Sequence, residues 1–413
     1  MIRRGLVLNE NIVVKCMQLY ESKCTRHSNM VIGNTMAGKT TTWEILQEAL
    51  NESYKKEFAE RDKAGQNTTE KDKPYKYKPV KVQILNPKAV SLQELYGYEM
   101  KDGSNTVWKD GVLARVLKDM CKADDAIENR WMILDGPVDT LWIETMNSVM
   151  DDSKLLTLDS GDRIKLTTNV RLLFECENLN VASPATVSRA GMIYLDIEEL
   201  HWRDSLIESW IRKKKVDFGE DYAEKLKECV HSHLQKVMDV KKTCKELVVT
   251  SDSALIRSFT RLYDCLMVNF PYGKNEERDT YLNYIEKWFI FAMIWSVGCT
   301  VEGGEEGRLK IENILRDGAP TGIPMTGTVY DYFIDLERKD FKLWSDKISG
   351  DQKGLFKDKK FHEIQVETID SKRNRYVVEA LLKNEKIEIL LIGRSGVGKT
   401  SMVENILRSI DTN

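Results

Sequence analysis

Two glycine-rich octapeptides constrain this chain more than any other feature. Residues 33–40 read GNTMAGKT and residues 393–400 read GRSGVGKT, each a full match to GxxxxGK[ST]. The first follows the apolar run Asn29–Gly33 and opens a helical pattern, Lys39–Leu50, with Trp43, Ile45, Leu46, Ala49 and Leu50 on one face. A strand turning through such a loop into a helix aims backbone N–H groups at a phosphate. Gly33, Asn34, Thr35, Met36, Ala37 and Gly38 are expected to form the cradle. Lys39 is expected to reach the outer phosphates and Thr40 to hold Mg²⁺, with Thr41 beside it. In the second copy the same roles fall to Gly393, Arg394, Ser395, Gly396, Val397, Gly398, Lys399, Thr400 and Ser401, after an expected strand Ile387–Ile392. Thr400 would be its metal ligand.

Lys39 and Lys399 lie 360 positions apart, and 14 residues follow Lys399. No room remains there for a strand carrying a metal-ordering acid, so the chain is expected to be a segment of a longer polypeptide. At 413 residues it suits two or three domains of about 100–200 residues each.

The first copy's acid is expected at the end of an apolar strand downstream. Trp131–Asp135 (WMILD) supplies it in Asp135, a second metal ligand. The next residue is Gly136, where hydrolysing relatives of this architecture carry a glutamate that polarises water. Losing such a base costs roughly 10²–10⁴ in rate, so this site is expected to bind nucleotide and hydrolyse it poorly. Asp139 is near but offset by a turn at Pro137.

Further apolar runs, Val80–Leu85, Val170–Cys176 and Met192–Ile197, alternate with helical patterns such as Asp110–Met120. That alternation predicts an α/β fold with a mostly parallel sheet covered on both faces. Lys154–Thr168 reads as a hairpin turning at Asp159-Ser160-Gly161. Asn51–Lys78 is half charged, lacks periodicity and reads as a solvated insertion. From about Glu198 strands give way to four helical stretches, Leu200–Lys215, Asp221–Glu246, Ser253–Asn269 and Tyr281–Val297. Pro320–Gly327 then reads as a linker, and a helix is expected over Arg375–Leu382. The domains are therefore set at 1–197 (with the insertion 51–78), 198–318 and 319–413.

Ser183 to Gly191 (SPATVSRAG) has a cap residue, Pro at the first helical position and Gly just past the end. This short helix delivers Arg189, which either complements the helix C-terminus, worth about 0.3–1 kcal/mol, or serves as an arginine finger toward a neighbouring phosphate.

Charge and cysteine content narrow the partners. Sixty-two basic and 65 acidic residues give a net charge of -3, which argues against nucleic acid as the main partner. The longest apolar run, Trp288–Val297, is far short of the ~20 residues a membrane span needs. Eight scattered cysteines without a CxxC read as reduced thiols. Cys229, His231 and His233 suggest a metal, but solvated polar positions account for them better.

ILNPKAVSLQELYG (84–97), WKDGVLARVL (108–117), ILDGPVDTLWIETMNSVMDD (133–152) and ASPATVSRAGMIYL (182–195) together resemble one family, the motor of dynein heavy chains. They are similar to the second AAA+ module of its six-module ring, including its missing Walker B glutamate. FIFAMIWSVG (289–298) and GTVYDYF (327–333) resemble the end of that module and the entry to the third, whose Walker A would be GRSGVGKT. The resemblance implies a P-loop AAA+ large domain, an all-helical lid and the start of a second AAA+ module. By it, Gly33–Thr40 and Asp135 retain ATP or ADP with Mg²⁺, and Arg189 acts catalytically, as a finger on the first module's site. Lys399 and Thr400 belong to a regulatory site, and Leu6–Leu8 line the adenine pocket. Implied partners are the other AAA+ modules of the same heavy chain, dynein intermediate and light chains, and microtubules, with no nucleic acid and no membrane. The wording of the strings is closer to axonemal than to cytoplasmic chains, placing the protein in a cilium or flagellum. Two departures stand out: Glu177 and Asn178 compete for the sensor position, and Ala190 replaces a usual cysteine. A non-motor AAA+ ATPase or a nucleotide-binding scaffold is the alternative.

Overall fold

The computed structural model describes residues 5–63, 75–103, 105–122, 128–197, 199, 201–268, 278–304, 307–317, 322–348, 366–385 and 389–409. They form two compact units, Met1–His201 and Trp202–Asn413.

The first unit is built on strands β1 (Ser28–Ile32), β2 (Val80–Leu85), β3 (Gly97–Asp102), β4 (Asn105–Asp110), β5 (Asn129–Asp135), β6 (Leu155–Thr157), β7 (Arg163–Lys165), β8 (Val170–Cys176) and β9 (Gly191–Tyr194). Five of them make one sheet in the order β2-β5-β8-β1-β9, every neighbouring pair parallel. Parallel strands need crossovers: helix α1 (Glu10–Thr25) precedes β1, and α2 (Lys39–Lys63), α3 (Leu92–Tyr96), α4 (Val112–Cys121), α5 (Thr140–Met150) and α6 (Pro184–Arg189) lie between the strands in sequence. Alternate strand residues point to opposite faces. Val31, Ile133 and Leu173 pack with Ile12, Leu19, Trp43 and Leu46 of α1 and α2 on one side. Met30, Met132, Leu134 and Phe174 pack with Leu113, Leu117, Trp142 and Met146 of α4 and α5 on the other.

Two features of this unit differ from expectation. Helix α2 runs to Lys63, well into the stretch read as an insertion. Tertiary contacts hold it: Tyr54 packs edge-on to Tyr75 at 5.0 Å, and the Glu57 carboxylate accepts from the Lys76 and Tyr77 N–H groups. Residues 64–74 of that stretch lie outside the described residues. The β3–β4 hairpin had no sequence expectation, because its polar strands lack a clean alternation. The expected β6–β7 hairpin forms as read.

The second unit opens with a π-helical turn, Arg203–Ile207, leading into α7 (Glu208–Phe218). It continues through α8 (Glu220–Cys229), a second π turn (Val230–Leu234), α9 (Gln235–Lys241), α10 (Asp252–Met267), α11 (Arg278–Ser296) and α12 (Arg308–Asp317). In α11, Trp288 to Ile294 are all buried, the mark of a central core helix. No described helix is long and apolar enough to cross a membrane. Val329, Tyr330, Phe333 and Trp344 share this core, Phe333 within β10 (Tyr332–Asp335) and Trp344 just after its antiparallel partner β11 (Asp340–Leu343). Helix α13 (Ile369–Glu385) adds Tyr376, and α14 (Lys399–Ser409) follows the second glycine loop.

The strand expected over Ile387–Ile392 is not formed at its described residues, 389–392. Leu390 is 82% and Ile392 63% exposed. An isolated extended segment has no neighbour for its N–H and C=O groups, and among the described residues none lies alongside it.

Candidate nucleotide-binding site

The first glycine loop leaves the carboxyl end of β1, where ligands gather in open α/β sheets. The Gly33 N–H is tied to the Cys176 carbonyl on β8, 3.2 Å away, which pins the loop to the sheet edge. Within the loop Met36 and Gly38 are left-handed, with φ of 72° and 84°. In the second loop the same two places are Gly396 and Gly398, both at 82°. The turn therefore demands positive φ at both places, and the first copy places a methionine where the second uses glycine.

The lysines are also alike. Lys39 Nζ donates to the carbonyls of Gly33 and Asn34 at 2.9 and 3.1 Å; Lys399 Nζ donates to those of Gly393 and Arg394 at 2.8 and 2.7 Å. Thr40 and Thr400 stand in the first turns of α2 and α14, where N–H groups lack intrahelical partners. Asn34, Thr35, Arg394, Ser395, Val397 and Ser401 are exposed, Thr41 is half-buried and Ala37 is buried beneath its loop. Leu6 is half-buried and Leu8 exposed.

Strand order decides which acids can meet the first loop. Strand β8 lies between β1 and β5, and register aligns Val31 with Glu175 and Glu175 with Asp135. Neighbours in register share a face, so Asp135 and Glu175 both point toward the side on which α2 packs. Asp135 is exposed, and among the described residues its carboxylate makes no ion pair or hydrogen bond. Glu175, 5% exposed, accepts from the Thr40 hydroxyl at 2.5 Å and from the Trp43 indole N–H at 3.0 Å. Sequence reasoning passed over Glu175 in favour of Glu177 and Asn178, both exposed beyond the strand. The signal available was a single carboxylate inside the apolar strand VRLLFEC.

Gly136 follows Asp135 and donates its N–H to the Glu175 carbonyl, 3.1 Å away. Asp139 caps α5, accepting from the Leu141 N–H at 2.9 Å, and pairs with Lys88 at 2.7 Å. That lysine and the backbone N–H hold its carboxyl below the usual range, so Asp139 is committed elsewhere.

Arg189 ends α6, which Ser183 caps and Thr186 ties to Asn147 of α5 at 2.8 Å. Its Nε donates to Asp151 at 2.7 Å and its Nη1 to the Ala185 carbonyl at 2.8 Å. Among the described residues Nη2 makes no hydrogen bond. The guanidinium thus complements its own helix end while part of it stays at the surface, 29% exposed.

The histidine and cysteine group of the second unit reads differently from expectation. Cys229 and His233 are buried rather than solvated; His231 alone is exposed. The intervening π turn changes the helical register, and His233 pairs with Glu286 at 2.9 Å. Among the described residues no three His, Cys, Asp or Glu side chains are placed to hold a metal ion. Among the described residues the eight cysteines form no disulfide.

The residues at the first loop fit a magnesium nucleotide by their chemistry. A helix N-terminus and an ammonium suit phosphate; a hydroxyl whose proton goes to Glu175 keeps its lone pairs for a cation, and Asp135 adds an uncommitted carboxylate. A parallel sheet, a glycine loop at its carboxyl edge and a helical second unit define an AAA+ module with a lid. Residues 78–190 match the model of an AAA domain of the dynein-related subfamily, 226–346 that of the dynein heavy chain AAA lid domain, and 355–413 that of the P-loop containing dynein motor region. The chain is 38% identical over 439 residues to Dynein-1-beta heavy chain, flagellar inner arm I1 complex, of Chlamydomonas reinhardtii, covering 98% of this chain and 9% of that one. It is 38% identical over 408 residues to human Dynein axonemal heavy chain 2, at 98% and 8% coverage. It is also 31% identical over 409 residues to Dynein beta chain, ciliary, of the sea urchin Tripneustes gratilla. The chain belongs to the dynein heavy-chain family. It spans under a tenth of the length of the first two of these relatives.

Proposed function

We propose that this chain is the second AAA+ module and the opening of the third in an axonemal dynein heavy chain, a microtubule motor ATPase. Residues 1–197 are its large domain, 198–318 its lid and 319–413 the passage to the next module. The first site binds ATP or ADP with Mg²⁺ through Gly33–Thr41 and Asp135, and turns it over little. The second loop, Gly393–Ser401, is the Walker A of a regulatory site, with Thr400 toward its metal.

One observation supports this reading: Asp135 ends its strand exposed and uncommitted, and Gly136 behind it offers no carboxylate to take a proton from water. Bound Mg²⁺ would neutralise charge on the outer phosphates. The chain's own part is to grip and orient. Loop N–H groups hold the phosphates, Lys39 turns from its loop carbonyls to the outer oxygens, and Thr40 and Asp135 fix the metal's place. Arg189 is offered to the preceding module, whose partners in the assembly are the remaining AAA+ modules, intermediate and light chains, and microtubules in the axoneme.

The test uses the intact heavy chain. Protein is purified in magnesium, denatured, and its released nucleotide counted against a Lys39→Ala variant. The wild type should carry one more adenine nucleotide per chain. Equal counts would refute the binding claim, and ordinary turnover lost in Asp135→Asn would refute weak hydrolysis.

A further inference from the structure

We propose that Glu175 is a positioning residue for the metal at the first loop. It holds the Thr40 hydroxyl so that its proton points into the sheet and its lone pairs point outward to the cation. The inference rests on the nucleotide reading above and concerns a residue outside the sequence motifs.

Thr40 sits on an exposed first helical turn, where its hydroxyl has one proton and two acceptor lone pairs. A freely rotating hydroxyl presents its proton to a cation as readily as its lone pairs. The Glu175 carboxylate removes that freedom: Oε1 accepts the Thr40 proton at 2.5 Å, a bond strengthened by the acceptor's charge. Oε2 is itself fixed by the Trp43 indole at 3.0 Å. Trp43 is buried and lies three residues beyond Thr40 on α2, so one side chain of β8 clamps both. The strand order makes the arrangement possible, since β8 runs between the loop strand β1 and the Asp135 strand β5.

Glu175 is not a substitute for the base missing at Gly136. Both of its oxygens already accept a hydrogen bond, and its 5% exposure leaves no room for an attacking water. Its influence on the metal passes through Thr40.

Outer residues that orient a metal ligand typically alter metal affinity by about 10–100-fold. The experiment takes the intact heavy chain and follows release of a fluorescent methylanthraniloyl-ADP while magnesium is titrated, with Lys39→Ala defining the signal of this site. Glu175→Gln keeps the side chain's shape but must turn an N–H toward one of its two donors. It is expected to raise the magnesium midpoint for nucleotide retention by about 10–100-fold, with release in EDTA unchanged. A merely structural residue would speed release equally with and without magnesium, and that result, or an unmoved midpoint, overturns the proposal. If Glu175→Gln does not fold, Trp43→Phe removes the indole donor and keeps an aromatic ring at that place. It should move the midpoint the same way by a smaller factor, and no movement again overturns the proposal. Absence of any Lys39-dependent signal in the wild type would instead overturn the nucleotide reading, and this inference with it.

Discussion

A Cβ built on Gly136 would lie 2.7 Å from the Oδ1 of Asn86, which itself accepts from the Lys88 N–H at 2.9 Å. The place where related ATPases carry a catalytic glutamate is therefore filled by a side chain already held in a turn. Gly136→Glu alone is expected to change nucleotide turnover at the first site by less than about tenfold, against the 10²–10⁴ that a placed base supplies. Gly136→Glu combined with Asn86→Ala should turn over faster than the single variant. Single-turnover hydrolysis in the intact heavy chain checks both, and a fully active single variant would contradict the steric argument.

Arg189 offers a separation of stability from activity. Its partner Asp151 is half exposed, and pairs of that kind are worth about 0.2–1 kcal/mol. Arg189→Ala should leave the denaturant midpoint nearly unchanged while lowering turnover at the preceding module by at least about 10²-fold, arginine fingers being worth roughly 10³–10⁵. Unchanged turnover would leave the residue as a helix-end cap alone.

Lys23 gives a pH signature. It is buried, its Nζ has no hydrogen-bond partner, and it lies 4.1 Å over the Trp131 ring. Burial, helped by nearby Arg171, pushes its amine down from 10.5 to about 7. Between those values the unfolded chain holds a proton that the folded chain lacks, so stability should rise with pH across the window. Lys23→Met should flatten that rise and stabilise the protein at pH 7 by about 1–3 kcal/mol. Urea melts at several pH values decide the matter.

Glu286 predicts a slope of the same sign in the helical unit, at acid pH. Its hydrogen bond from His233, with a second from Lys225, holds its carboxyl below the ordinary range. A depressed carboxyl contributes stability above the usual carboxylate range and loses it as pH falls through the depressed value. Glu286→Gln should cost about 1–3 kcal/mol near neutrality and lose part of the acid sensitivity of the wild type. Identical acid profiles for the two proteins would rule the cluster out as its source.

Much of this architecture can be read directly from the residues, because local rules carry it. The runs Val80–Leu85 and Val170–Cys176 coincide with β2 and β8, since a short β-branched and apolar-rich run between turn signals has few other uses. What escaped depends on neighbours distant in the chain. Helix α2 continues past Leu50 because Tyr75 and the Lys76 and Tyr77 amides meet it, contacts that no helical period announces. Glu175 and Asp135 are 40 positions apart and become adjacent only through strand order. The motif names the loop, but only the sheet names the acid that clamps its threonine.

The two lysine-capped loops show how little each owes to its surroundings. One issues from the middle of a formed sheet and the other from 389–392, where no strand is formed, yet their two left-handed positions and their lysine contacts nearly coincide. Eight residues suffice to encode the cradle, so the octapeptide is a portable part whose geometry travels with it. What distinguishes one copy from another as an ATPase must then be inherited from whichever carboxylates its host brings alongside.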